Sequence, residues 1–251
     1  MNEGGVRNLK AEERLILALD VGSVSEAISL IDILRDKLTI VKVNSLAAIF
    51  PQIVSEIKKR EMKVWRDWKY YDTASVVSEF IRADIKAGIY MTTVHTLGGT
   101  EMMESAVKAA SDTDLKILGI TILNPRNIDR TIGIPGRIRT KIIELALSAE
   151  KVGLSGVVAS AQEARDLRRF LKPETLIVVP DVKPAWAVPS REQAKVTTPS
   201  EAIEAGADYI VVGSPIYKSR TPALAVDRII AEIEKSLEER NLEKDLNSEM
   251  V

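Results

Sequence analysis

Cysteine is absent from the 251-residue chain, and histidine occurs once. The first absence excludes disulfides, zinc–thiolate sites, iron–sulfur clusters and a cysteine nucleophile. A single imidazole excludes His-rich metal centres and any mechanism built on a histidine pair. Charge of one sign is missing too: 35 Lys and Arg stand against 36 Asp and Glu, a formal net charge of −1. No bulk basic field draws such a chain to nucleic acid or to a membrane surface. No apolar run approaches the roughly 18–20 residues of a membrane span. The polar start, MNEGGVRNLKAEER, lacks the apolar stretch of a signal peptide. These absences predict a cytoplasmic protein with neither a nucleic-acid nor a membrane partner. There is also no G-x-G-x-x-G after the first apolar run, no Walker A sequence and no G-x-S-x-G elbow. Catalysis must come mainly from carboxylates, lysines, hydroxyls and backbone.

Hydrophobic residues make up 45% of the chain, enough to bury a full core, and they recur in a rhythm. Short β-rich runs alternate with longer helical patterns. The strands predicted are Leu15–Asp20, Thr39–Val43, Met62–Asp67, Tyr90–His95, Leu115–Leu123, Gly156–Ser160, Leu176–Pro180 and Tyr209–Gly213. Helical patterns fall between them: from the Ser23-x-x-Glu26 capping box to about Arg35, then Ala47–Arg60, Thr73–Lys86, Glu101–Ala110, Ile138–Lys151, Gln162–Leu171, Ser200–Glu204 and Leu224–Leu237. Strands separated by helices of 10–15 residues imply βαβ crossovers and a parallel sheet. Eight such units in about 250 residues predict an α/β fold, a single (β/α)8 TIM barrel. An open doubly wound sheet is the alternative. The barrel spans 14–238, after a polar N-terminal segment, 1–13, and before a charged C-terminal tail, 239–251, read as the fraying end of a solvated helix.

A barrel builds its site where strands end. Those positions hold Asp20, Lys42, Asp67, His95, Asn124, Ser160, Asp181 and Ser214. Any one of them could be polar simply because loops are wet; the set suggests convergence. The strongest motif is Asp67-Trp68-Lys69-Tyr70-Tyr71-Asp72, a D-x-K-x-x-D spacing at the end of strand three. In an extended segment residues 67 and 69 point the same way, into the mouth. An ammonium there can hand a proton to a developing carbanion, and a carboxylate beside it can repel a substrate carboxylate about to leave. A surface ion-pair cluster has the same spacing.

Asp67-x-Lys69-x-x-Asp72, with Lys42 in IVKVNSL and Asp20 in LALD, resembles the orotidine 5′-monophosphate decarboxylases. TVHTLGG (93–99), LGITIL (118–123), KVGLSGVVASAQEA (151–164) and TPSEAIEAGADYIVVGSPIY (198–217) are similar to that family's later strands, in the same order, so the resemblance covers about residues 14–225. It implies a cofactor-free, metal-free decarboxylation of orotidine monophosphate to uridine monophosphate. It implies catalytic roles for Lys42, Asp67, Lys69 and Asp72. Asp20 would bind ribose hydroxyl. Lys42 would orient Asp67, which lies against the substrate carboxylate, and Lys69 would stabilise and protonate the C6 carbanion. Asp72 would reach across a homodimer interface. Gln193 would match a loop Gln that contacts phosphate and base. His95, Asn124, Pro180, Lys183, Gly213 and Ser214 complete the expected substrate contacts, His95 as a packed or hydrogen-bonded group.

Several positions depart from the family pattern. T-P-G-I-R after strand seven becomes Val179-Pro180-Asp181-Val182-Lys183, and V-V-G-R-P after strand eight becomes Val211-Val212-Gly213-Ser214-Pro215. The glycine beside phosphate is an acid, and the phosphate-gripping Arg is Ser214. D-I-P-x-T becomes Asp72-Thr73-Ala74-Ser75-Val76, and a base-contacting T-S becomes Asn124-Pro125. Losing a charge-assisted phosphate contact costs roughly 1.5–3 kcal/mol. Ser214 and Pro215 read as a helix N-cap and first residue, and Lys183, Arg191, Lys195 or Arg126 could supply the missing charge. Three readings stand: a decarboxylase with a rebuilt phosphate site; a related decarboxylase or aldolase-like enzyme (3-keto-gulonate-6-phosphate decarboxylase or hexulose-6-phosphate synthase type) with another substrate; and a non-catalytic ligand-binding barrel. The metal-dependent branch places Glu where this chain has Lys42, and a cation there repels Mg²⁺.

Overall fold

A computed structural model describes residues 9–122, 138–188 and 196–249. Eight parallel strands close into a barrel in sequence order: β1 (Leu15–Ala18), β2 (Ile40–Val43), β3 (Lys63–Tyr70), β4 (Met91–His95), β5 (Lys116–Ile120), β6 (Gly156–Val158), β7 (Leu176–Val179) and β8 (Tyr209–Val212). The ring shuts where Leu15, Ile16 and Leu17 pair with Ile210, Val211 and Val212. The open doubly wound sheet is thereby excluded.

Near-continuous apolar strands serve two cores, because successive side chains point to opposite faces. Ile16, Ile40, Trp65, Met91, Leu118, Leu176 and Val211 fill the barrel interior. Their neighbours Leu15, Leu17, Val41, Val64, Ile117 and Ile177 face the helices. Continuing the inner set by twos reaches Asp20, Lys42, Asp67, Lys69, Thr93 and His95 at the C-terminal mouth. The parity that packs the interior therefore also aims the site.

The helices begin where their caps direct. In α2 (Val24–Leu34), the hydroxyl of Ser23 accepts the Glu26 N–H at 3.2 Å. The helix expected over 47–60 is two: α3 (Ser45–Ile49) and α4 (Ile53–Lys58). Pro51 explains the break. It lacks an N–H and forces its predecessor from helical geometry, so Phe50 sits at φ −131°, ψ 82°. α5 (Ala74–Ala87), α6 (Gly99–Ala109) and α7 (Ile138–Lys151) follow. α8 (Ala161–Leu167) opens on a capping box in which Ser160 and Glu163 each bond the other's backbone N–H. Ser160, expected at the mouth, is thus a helix cap.

α9 (Pro199–Glu204) is capped by Thr198, and α10 (Ser214–Tyr217) by Gly213 rather than the expected Ser214, which is its first residue. α11 (Pro222–Glu249) runs on through the segment expected as a tail. At the opposite end a short α1 (Ala11–Arg14), not expected from sequence, brings Arg14 under the barrel, where it is 3% exposed.

Candidate active site

β3 is the longest strand and runs three residues beyond its expected end. Its pairing to β4 slips between Arg66 and Tyr70, an irregularity that lets the strand continue into the mouth while both edges stay anchored. On the outer face, the Arg66 guanidinium bonds Asp84 of α5 at 2.5 Å, and the Tyr70 hydroxyl donates to the same carboxylate at 3.1 Å. Asp84 is fully buried, and burial pushes its carboxyl upward against the pull of these partners. Phe80 stacks on Tyr70 with ring centroids 4.8 Å apart. This clamp fixes the strand from behind.

On the inner face, Asp67 is the hub. One carboxylate oxygen, Oδ2, lies 2.8 Å from Lys69 Nζ and 3.3 Å from Lys42 Nζ. The other, Oδ1, accepts the Thr93 hydroxyl at 3.0 Å. Asp67 and Lys42 are buried, whereas the Lys69 side chain keeps 34% of its surface open to the mouth. Lys42 is in register with Trp65, whose ring lies beneath its ammonium group at 6.0 Å. A carboxylate held between two ammonium groups and a hydroxyl cannot turn away from the centre of the mouth.

Lys69 itself has φ +52°, a left-handed conformation uncommon for a residue with a long side chain. Its N–H donates to Thr93 Oγ1 at 2.9 Å, so one buried hydroxyl accepts from the lysine backbone and donates to the aspartate. Thr93 was not foreseen as a site residue. Its signal was present, since it precedes His95 by two and shares its face.

The other expected residues divide. His95 ends β4 beside this cluster; its Nδ1 is buried without a partner among the described residues. Burial, then the Lys69 charge, lowers its pKa. The Tyr71 ring lies 5.7 Å from it. Asp20 follows β1 and is exposed. Asp72 is exposed too; its Oδ1 accepts the Thr73 N–H at 2.7 Å, and it does not join the Lys42–Asp67–Lys69 trio within this chain. Pro180 and Gly213 follow β7 and β8, and Ser214 is half-buried at the start of α10. Lys183 pairs with the exposed Asp181 at 3.1 Å rather than lying free. Asn124 and Gln193, with Arg126, Arg191 and Lys195, lie outside the described residues.

Asp181 has φ +56°, in the left-handed region that glycine enters most readily. Asp tolerates this region better than most residues with a Cβ.

Residues 13–229 match the family described as orotidine 5′-phosphate decarboxylase / HUMPS. The chain is 33% identical over 240 residues to the orotidine 5′-phosphate decarboxylase of Syntrophomonas wolfei, covering 90% of this chain and all of the relative. It is 34% identical over 245 residues to that of Heliobacterium modesticaldum, covering 92% and all of the relative. The crystal structure of orotidine 5′-phosphate decarboxylase from Lactobacillus acidophilus superposes with a TM-score of 0.75 at 27% identity, across 88% of this chain and 99% of that one. Proteins so named are carboxy-lyases, and this chain is an enzyme of that type. A closed eight-stranded barrel, a lysine–aspartate–lysine cluster in its mouth and these full-length likenesses agree: the chain belongs to the orotidine 5′-phosphate decarboxylase / HUMPS family.

Proposed function

We propose that the enzyme decarboxylates orotidine 5′-monophosphate to uridine 5′-monophosphate and CO2, a step of pyrimidine biosynthesis, without a cofactor. The observation that carries this reading is the Asp67 carboxylate fixed between Lys69 Nζ and Lys42 Nζ. The substrate carboxylate lies against Asp67, where like charges repel. The C6–carboxylate bond breaks, CO2 leaves, and the electron pair stays on C6 beside the Lys69 ammonium. Lys69 then gives C6 a proton. The charge that develops at C6 meets a cation already in place, so little reorganisation accompanies the reaction.

Asp72 acts from the neighbouring protomer in this reading. Its exposure in a single chain supports that role, as do the exposed apolar side chains Ile49, Trp68, Tyr71, Val76 and Phe80 on the flanking segments. Mixing Lys69→Ala and Asp72→Ala proteins tests it. Mixed dimers regain one complete site and some turnover; a strictly additive, inactive mixture refutes the shared site.

A second reading rests on Asp181 and Ser214: the same carbanion chemistry on a related substrate whose anion is held elsewhere. One experiment separates the two. Orotidine monophosphate is incubated with the protein while loss of orotate absorbance is followed, with Lys69→Ala as control. Turnover that Lys69→Ala abolishes supports the first reading. None at high concentrations of folded enzyme refutes it. Ser214→Arg discriminates further, lowering KM roughly tenfold or more if only the phosphate grip has weakened.

A further inference from the structure

Beneath the barrel, opposite the mouth, lies a cavity of about 730 Å³. Five arginines line it: Arg14 from α1, Arg165, Arg168 and Arg169 at and beyond the end of α8, and Arg240 from α11. Residues 165, 168 and 169 are spaced i, i+3, i+4, which puts them on one side of the chain's helical path. Only two carboxylates share the lining, Asp208 and Glu204, and both are engaged. Asp208 accepts from Arg168 at 2.7 Å and from the Ile177 N–H at 2.8 Å; Glu204 accepts from the Ser200 hydroxyl at 3.0 Å. Arg14 is tied to the carbonyls of Leu9 and Asp208, each at 3.2 Å.

The positive charge is thus in local excess on a chain whose net charge is −1. Arg165 and Arg169 have no carboxylate partner among the described residues. Arg240 gives one N–H to the Ile203 carbonyl at 3.3 Å, while its Nε is buried with no acceptor. A buried N–H without an acceptor is costly, and a rigid guanidinium fork is suited to phosphoryl oxygens. Burial depresses the basicity of Arg14 and Arg240; the Asp208 carboxylate opposes this, and neighbouring guanidinium groups, Arg240 at Arg14 and Arg168 at Arg240, add to it. Five like charges thus crowd this cavity against two carboxylates.

We propose that this cavity is a second ligand site, separate from the mouth, for a small molecule bearing a di- or triphosphate. Its volume falls within the range of about 300–1,000 Å³ typical of small-ligand sites. The lining holds Leu171, Pro173 and Ala205 but no aromatic ring, so recognition rests on the phosphates rather than on stacking of a base. Arg168 fixes the β7 and β8 edge of the site through Asp208, and the exposed Arg165 and Arg169 face the incoming anion.

Titration calorimetry of the full chain with inorganic tripolyphosphate, at roughly physiological salt, tests the proposal. The expected result is saturable binding at one site per chain. Arg165→Ala/Arg169→Ala weakens it about tenfold or more, while Arg82→Ala, an exposed arginine on α5, leaves it unchanged. Arg165→Gln alone carries the same test should the double variant unfold. No saturable binding overturns the proposal, as does equal affinity in the Arg165 and Arg169 variants. Binding lost in Lys69→Ala would locate the anion in the mouth and overturn it equally.

Discussion

Thr93→Val isolates the group that couples the two halves of the site. Valine keeps the volume and branching of threonine, so packing at this fully buried position changes little. What goes is one oxygen, which accepts the Lys69 N–H at 2.9 Å and donates to Asp67 Oδ1 at 3.0 Å. A hydrogen bond to a charged group contributes about 1.5–3 kcal/mol and a neutral one about 0.5–1.5, so the variant should lose about 2–4 kcal/mol. In a chain of this length, each kcal/mol lowers Tm by about 2–4 °C, and the expected drop is about 5–15 °C. Lys69 also loses the acceptor that holds its left-handed backbone, which otherwise costs about 1–2 kcal/mol. In the proposed mechanism its ammonium should then stray from C6, lowering kcat by roughly tenfold to a hundredfold. Calorimetric melting and steady-state kinetics measure the two effects separately. Thr93→Ser, which restores the oxygen, should recover most of both. A Thr93→Val enzyme that melts lower yet keeps its kcat would show that the hydroxyl supports the fold without positioning Lys69, and the reasoning above would be wrong.

Other expectations are as sharp. Asp84→Ala leaves Arg66 without its buried partner and should cost about 3–5 kcal/mol, read as a lower urea midpoint; a change under 1 kcal/mol would disprove the clamp behind β3. Gly156 sits where an added Cβ would meet the Leu176 carbonyl oxygen at 2.3 Å, so Gly156→Ala must part β6 from β7 and lose about 1–3 kcal/mol, against a null result if the strands move freely. His95 has a pKa below its ordinary 6.5, through burial first and Lys69 second. The unfolded chain then binds the proton more readily, so the stability due to neutral His95 is complete above about pH 6.5 and is lost as pH falls toward the depressed folded value. Denaturant titrations across that window should show a decline that His95→Gln flattens.

The barrel was legible because each strand is a short apolar run and each crossover carries a helical period. The two-residue alternation went further than its use in choosing strand ends. Extended upward from Ile16, Trp65 and Met91, it reaches Asp20, Asp67, Lys69, Thr93 and His95 without any knowledge of the mouth. The break between α3 and α4 was legible in Pro51, although a single helix was expected over 47–60. Three features were not. The left-handed turn at Lys69 leaves no local mark, because Lys has no preference for it and a threonine on the next strand imposes it. The extension of β3 depends on a register slip against β4. Arg14 closes the polar run MNEGGVRNLKAEER, yet it is buried where α1 meets β8 and α11.

Position 181 shows how backbone hydrogen bonds can hold a turn that suits glycine with another residue at its apex. A glycine-like φ of +56° at Asp181 persists because Val182 N–H is held by the Val211 carbonyl at 3.1 Å and Lys183 N–H by Thr197 at 2.9 Å. These bonds fix the turn after β7 from both the β8 side and the Thr197 side, whatever side chain occupies the apex. The pairing of Asp181 with Lys183 offsets one cation expected to help hold the phosphate, and Ser214 adds none. A mouth with this backbone and this charge pattern should discriminate by the anion its substrate carries while leaving the chemistry at Lys69 intact. In the proposed reading, β7 and β8 carry the anion contacts and β2 to β4 carry the chemistry.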